Sequence, residues 1–487
     1  MTDITATPTR TTFPFRALLA PGIAQALIAL DYAIVYVALP TLAQRLSLSA
    51  SDMQWVVSLY GLTFAALLLS GGALCDRLGA RRMFIVGMVL FLFASLLGGL
   101  AQSSPLLLTA RGGQGIAAAL LQPTVLALIA RDFSGNSHRR ALAIWSAIGA
   151  SGLVAGVILG GVLTALSWRA IFLINLPPGL LALWLVRRHF LPADMQASQQ
   201  GSVNPLLPIT SRLPDISVTP CSRAVVRVRR LIARLTHSSG AIIGCAAAGA
   251  LVWALTRFAE NGSADFLANR LAATMLLLFI LHERYAPRPL LPRSRRILPG
   301  LQTGWLSSAC YMASVGSQFF AMTLLWQQSQ HLSAVTTGLL FAPLALLIVI
   351  GNAFYSRLSI RFAGSCLLMA GFTTAALGLW LLSDSLSDAL SPSFIAGVVL
   401  SGLGHGLIYP AMFAVGLSAV PESQQGRASA LIVTSQYIAG AITLAVIAVL
   451  LGMQPDVVAW QAVFRVLSGA ALVGMLTALC ADRPPVE

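Results

Sequence analysis

Apolar runs of roughly 18 residues or more recur from one end of the chain to the other, and about 20 such residues cross a bilayer as a helix. No water is available in the hydrocarbon, so each backbone N–H and C=O has to bond within its own helix or in a closed barrel. Repeated many times, this pattern leaves one economical fold class, an all-α polytopic membrane protein. Composition agrees, because 57% of the 487 residues are hydrophobic and only 10% are charged, against about 25% charged in soluble domains. Fourteen runs qualify, the first over Ala17–Leu39 and the last over Val463–Cys480. The first is too long for a cleaved signal peptide and reads as an uncleaved span.

The formal net charge is +15, which in a soluble chain would suggest nucleic acid. Here its placement matters more. All 31 basic residues are arginine. With a cytosolic N-terminus, one side collects Arg77, Arg81, Arg82, Arg131, Arg139, Arg140, Arg187, Arg188, a 223–234 cluster, Arg284, Arg288, Arg293, Arg295, Arg296, Arg357, Arg361 and Arg427. The other side holds little beyond Arg45, Arg169, Arg257, Arg270 and Arg465. This asymmetry predicts cytosolic termini and an inner (cytoplasmic) membrane location. The six cysteines form no CxxC pair and are expected to be free thiols. In the long loop before the seventh span, Arg223, Arg227, Arg230 and Arg234 follow helical spacing. They suit either a surface helix on anionic lipid or an ordinary positive-inside loop.

Asp31 is a carboxylate inside the first span, and Arg111 is a guanidinium inside the fourth. At 1.5 Å per residue, Asp31 lies ~12 Å and Arg111 ~9 Å below the same surface. Ionisable groups at such depth face a partner or a cavity. Burial favours the neutral acid and a nearby guanidinium favours the carboxylate. A site alternating between the two can take up and release a proton. The alternative is a static salt bridge that clamps two helices.

Three motifs carry further information. Between spans two and three lies "GGALCDRLGARRMF", with Gly72, Asp76, Arg77, Gly79, Arg81 and Arg82. Gly72 is expected to leave room for a neighbouring helix, and Gly79 to make the turn. The fourth span carries Arg111-Gly-Gly-Gln114-Gly115, and the fifth spaces Gly152, Gly156 and Gly160 four residues apart, with Gly161 following. In these places they resemble the signature loop, the R-x-x-Q-G pattern and the exporter-type glycine motif of the major facilitator superfamily. "LDYAIVYVALP", "SWRAIFLINLPPG", "LHERYAPRPLLP" and "GLGHGLIYPAMF" are similar to its fourteen-span drug:proton antiporters.

The resemblance implies two six-helix bundles, 1–188 and 301–487, a cytosolic linker 189–239, and two extra helices and a loop at 240–300. It also ties Arg111 to proton coupling, to which the depth argument adds Asp31 as its partner, and it implies a cytoplasmic gate at 72–82. Departures are Val157 for the motif proline, Tyr36 for an asparagine and Gln436 for an arginine. "GNAFYSRLSIRFAG" echoes the 72–82 loop, with Tyr355 where the acid would stand.

The implied activity is efflux of small amphipathic compounds such as drugs, dyes or antiseptics, driven by the proton motive force without a cofactor. Val157 keeps open a proton-coupled importer. Candidate cavity residues are Tyr32, Tyr36, Gln114, Gln122, Tyr311, Gln318, Met322, Trp326, His405 and Tyr409, whose aromatic and thioether groups suit an adaptable site. The chain has no HExxH, GxSxG or Walker A pattern and its six histidines are scattered. An enzyme, a metal site and an ATP-driven pump are therefore not expected. The expected partners are a small-molecule substrate, protons and lipid, with no nucleic acid and a monomeric state.

Overall fold

The computed structural model describes residues 15–133, 135–189, 220–261, 263, 265–286, 298–386, 391–418, 420–452 and 456–479, with backbone alone at 50, 76, 135, 136, 138, 139, 143, 189, 220–238, 259, 298, 299, 422–424, 426 and 427. The first half comprises α1 (Phe15–Leu46), α2 (Ala50–Leu78), α3 (Ala80–Gly99), α4 (Ser104–Asp132), α5 (Gly135–Leu166), α6 (Ala170–Leu173) and α7 (Leu176–His189). Two helices follow, α8 (Pro220–Asn261) and α9 (Phe266–Tyr285). The second half comprises α10 (Leu298–Leu324), α11 (Ala334–Leu358), α12 (Gly364–Asp384), α13 (Pro392–Leu417), α14 (Glu422–Leu451) and α15 (Val457–Leu479). With α6 and α7 counted as one broken span, these make fourteen crossings.

Among the described residues, thirteen of these crossings are long and apolar enough to span a membrane. The remaining one, α10, is less apolar because it carries Ser307, Ser308, Ser314, Ser317 and Gln318. All five are buried, so its polar face meets protein rather than lipid. Lipid-facing positions such as Phe93 and Leu277 stay exposed without penalty, because hydrocarbon surrounds them.

Local chemistry fixes the ends. Ser49 and Asp52 form a capping box at the start of α2. Pro105 and Pro392 open α4 and α13, where a missing N–H costs nothing. Gly79 turns α2 into α3 at φ 84°, a conformation that suits glycine. In the sixth span Pro177 and Pro178 supply no N–H, and the helix breaks around Ile174 and Asn175.

Three expectations need correction here. Gly71, not Gly72, makes the close approach: a Cβ on Gly71 would collide with the Ala119 carbonyl on α4, whereas one on Gly72 would meet only Pro123 at 4.0 Å. In the second half Gly351 packs in the same way against Leu403 and Gly406 of α13. Matching Gly71 with Gly351 puts Arg77-Leu78 over Arg357-Leu358, so Ser356, not Tyr355, occupies the acid's place. The basic 223–234 stretch is part of one helix with the seventh span. The 42 residues of α8 extend ~63 Å at 1.5 Å per residue, about twice the bilayer core. The arginine side chains of that stretch lie outside the described residues.

Helices α1–α7 pack on one another, as do α10–α15. The halves meet through α5 on α11, α2 on α14 and α1 on α10. Toward the end where α5 finishes and α11 begins, residues of both halves form one hydrophobic cluster, including Leu39, Trp168, Trp326 and Phe341. Toward the opposite end, much of the core separates into a first-half cluster around Phe84 and Leu128 and a second-half cluster around Leu301 and Ile432. Helix α8 lies against both α2 and α14, through Leu62, Ala248, Val252, Ala441 and Ala445.

Candidate functional site

The apolar first span holds its carboxylate in a cage. Arg111 Nη1 donates to Asp31 Oδ2 at 2.8 Å, while Gln114 Nε2 and Asn175 Nδ2 donate to Oδ1 at 2.7 and 2.9 Å. Arg111 also donates to Gln114 Oε1 at 2.8 Å and, through Nε, to the Val56 carbonyl at 2.9 Å. Ser95 Oγ accepts from Gln114 and Asn175 at 3.0 and 3.2 Å. Asp31 is fully buried and Arg111 is 1% exposed, so the pair is screened from water.

Local structure explains the assembly. Arg111 and Gln114 lie three residues apart and share one face of α4. Cβ atoms on Gly152, Gly156 and Gly160 would meet the α1 backbone at Ala26, Leu30 and Ile34 at 2.9–3.0 Å. The stripe thus seats α5 against the helix that carries Asp31. Gly161 faces the other half, where a Cβ would meet the Ala334 carbonyl at 2.6 Å. Val157 is fully buried, and its carbonyl faces Gly338 across the same contact.

Beside the cage a narrow crevice of about 270 Å³, open mouth included, runs between the halves. Its walls include Tyr32, Tyr36, Ser58, Met312, Gly316 and Tyr437. Its enclosed space holds little more than one water molecule, so the helices are drawn close here. The Tyr32 and Tyr36 hydroxyls bond at 2.8 Å, and the Tyr32 ring lies 6.1 Å from Tyr60 and 6.0 Å from Tyr437. Arg111 sits over the Tyr60 ring at 4.5 Å, linking the ion pair to this aromatic cluster.

The other predicted cavity residues divide. His405 and Ser314 hydrogen-bond at 2.9 Å, and Gln318 donates to Ser401 at 3.1 Å, all four fully buried. Tyr311 lies beside His405 and Tyr409, and Tyr409 remains 41% exposed. Gln122 is half-buried and joins none of these contacts. Met322 and Trp326 are not on the crevice. Both are buried in the shared cluster, where Trp326 packs on Phe341 and Phe394 at 4.9 and 6.3 Å. Gln436 contacts Ser308 and Met312.

In the 72–82 loop, Arg81 donates to the Arg187 carbonyl at 3.5 Å, Arg77 and Arg82 are exposed, and the Asp76 side chain lies outside the described residues.

Sequence reasoning missed Ser95, Asn175, Tyr60 and Tyr437. It also missed a repeat that relates the two buried polar clusters. The shift that carries Ser104-Pro105 onto Ser391-Pro392 carries Gln122-Pro123 onto Tyr409-Pro410 and Gln114 onto Ser401. Gln114 on α4 bonds Asp31 on α1, and Ser401 on α13 bonds Gln318 on α10; the first bond keeps a charge and the second does not.

The sequence model of the Major Facilitator Superfamily matches residues 22–281 and 304–487. Among curated relatives, the cephamycin export protein CmcT of Amycolatopsis lactamdurans is 32% identical over 99% of this chain and 96% of its own length. The puromycin resistance protein pur8 of Streptomyces alboniger is 32% identical over 87% of this chain and 79% of its own. The multidrug resistance protein Stp of Mycobacterium tuberculosis is 30% identical over 88% and 74%. Among solved structures, a D-xylose-proton symporter superposes with a TM-score of 0.64 at 15% identity, covering 97% of this chain and 98% of its own. At that identity the likeness speaks to the fold alone.

Proposed function

Because the chain belongs to the major facilitator superfamily, we propose that this multi-pass membrane protein exports small amphipathic organic compounds in exchange for protons. The observation that carries the reading is the caged Asp31. A carboxylate without solvent exposure, held by a guanidinium and an amide on α4 and by a second amide at the break between α6 and α7, is expensive to build and suited to switching. Export and resistance proteins among the relatives support outward transport.

The geometry supports an alternating-access cycle. The arginine-rich side is the cytosolic one, with both termini there, in the cytoplasmic membrane. The shared cluster then closes the outer end, while the separate clusters face the cytosol, so this is an inward-facing conformation. Residues 1–188 and 301–487 act as the two moving bundles, with 240–300 as an added pair. Protonation of Asp31 cancels its attraction to Arg111 and loosens α1 from α4, while deprotonation restores the clamp. Arg111 keeps its bonds to Val56 and Gln114 throughout, which holds the cation in place. Substrate competes for the crevice beside Tyr32, Tyr36 and Tyr437. The 72–82 corner, with Asp76, latches the cytosolic side when it closes. The protein acts as a carrier, using the proton gradient and no resident cofactor.

The test is transport in inside-out membrane vesicles, using puromycin as the first compound. Acidifying the vesicle interior should drive accumulation above the external concentration, and collapsing the gradient should release it. Accumulation that ignores the pH gradient, across a panel of dyes and antibiotics, would overturn proton exchange.

A further inference from the structure

Helix α2 buries polar groups that find no partner among the described residues. Gln54 has no exposure, and neither its amide nitrogen nor its amide oxygen has a hydrogen-bond partner. Ser58, one turn further on and 4% exposed, has an unpartnered hydroxyl on the crevice wall. The Tyr60 hydroxyl is buried and unpartnered as well. A buried polar group left without a partner loses its hydration with nothing in return.

Register places the first two on one stripe. Gln54, Ser58, Gly61 and Ala65 follow i, i+4, i+7 and i+11, which is one face of a helix. The lower members of that face meet α14: a Cβ on Gly61 would meet Tyr437 at 2.5 Å, and Thr434 donates to the Ala65 carbonyl at 3.3 Å. Opposite the upper members runs Gly440, Ala441 and Leu444, which offers no side-chain hydrogen bond. Above Gln54 is the capping network at the end of α2, where Asp52 accepts from Ser104 at 2.7 Å. Below Ser58 the crevice leads to the Tyr36–Tyr32 hydroxyl pair, and Tyr32 adjoins Asp31 in the chain. The seam is shut off from lipid by α8, which packs on both α2 and α14.

We propose that the α2–α14 seam, lined by Gln54 and Ser58 and sealed from lipid by α8, is the water-filled path that joins the outer face to the Asp31 crevice when the outer end opens. The assignment rests on the reading of Asp31 as the proton site. It also gives the extra helix α8 a task, because a wet seam between two bundles would otherwise leak into lipid. Gln54 and Ser58 act as lining groups that bond water in the open state and wait unpaired in the closed one.

Single cysteines at these positions test the path without any substrate. Gln54→Cys, Ser58→Cys and, as a control facing α8, Leu62→Cys are made in the full chain. Intact cells and inside-out vesicles are treated with a membrane-impermeant, charged methanethiosulfonate, and each site is read separately by peptide mass spectrometry. The expected result is labelling of positions 54 and 58 from the outside at least tenfold faster than position 62. Labelling of 54 and 58 no faster than 62, or only from the cytosolic side, overturns the proposal. Ser58→Cys replaces one atom, so the test survives if Gln54→Cys fails to fold. Repeating it with Asp31→Asn separates the two ideas. The labelling pattern reports the path, and loss of uphill transport reports the proton site.

Discussion

Removing the Arg111 charge alone should damage the protein more than removing both charges of the pair. Arg111→Met fills the space with an unbranched apolar chain but deletes donated bonds to Asp31 and Gln114 at 2.8 Å and to the Val56 carbonyl at 2.9 Å. Opposite charges about 4 Å apart attract by about 4 kcal/mol at an effective dielectric of about 20. Deleting one partner of a buried pair costs about 3–5 kcal/mol, since the other charge is left without compensation. Asp31 can escape by taking a proton, so the lower end, ~3 kcal/mol, is the expected loss.

Asp31→Asn combined with Arg111→Met removes both charges and should return to within ~1 kcal/mol of the wild type. The assay is the half-life of purified protein in lipid nanodiscs at a fixed elevated temperature. If the loss falls on the unfolding barrier, ~3 kcal/mol shortens that half-life about a hundredfold. The double variant should recover most of it while remaining unable to couple transport to protons. A double variant as labile as Arg111→Met would refute the reasoning, because it would show that the two charges do not act on each other.

Other consequences are simpler to read. Gly156→Val must push α5 off α1, since even a Cβ would meet Ala33 at 2.7 Å, and should cost about 1–3 kcal/mol. Gly469→Val, with open space at its Cβ, is the control that should leave thermal stability unchanged. Gly79→Ala forces a side chain into φ 84° and should lower stability by about 1–2 kcal/mol, measured by the same inactivation assay. At the start of α9, the backbone N–H of Ala268 and the Arg257 guanidinium hold the Asp265 carboxyl below the usual carboxylate range. Its contribution is therefore present above pH ~4 and lost as pH falls below it. Hydrogen exchange at the first turn of α9, corrected for the intrinsic rate, should rise in acid in the wild type and lose that dependence in Asp265→Asn.

The spans were legible because apolar length is a local property, and one that the bilayer enforces. The meeting of Asp31 with Arg111 was legible because a fixed rise per residue converts sequence position into depth. Ser95 and Asn175 were not. A lone serine in α3 has no distinguishing pattern, and Asn175 reaches the cage only because Pro177 and Pro178 break the sixth span beside it. The crevice was half legible. Tyrosines on α1 announced themselves, but Gly316, Gly440 and Met312 line it by being small or flexible, and such residues fill every helix contact. Trp326 was misplaced because an indole suits a packed core as well as a ligand wall. Only its position, at the closed end among Phe341 and Phe394, decides between them.

The central claim is that Asp31 couples substrate movement to protons, and Asp31→Asn tests it most directly. Inside-out vesicles carrying the variant at wild-type abundance are given puromycin, or another compound the wild type accumulates, with and without an acid interior. The account predicts that uphill accumulation is abolished while downhill equilibration of the same compound continues. Accumulation by Asp31→Asn at the wild-type rate, driven by the pH gradient, would contradict it.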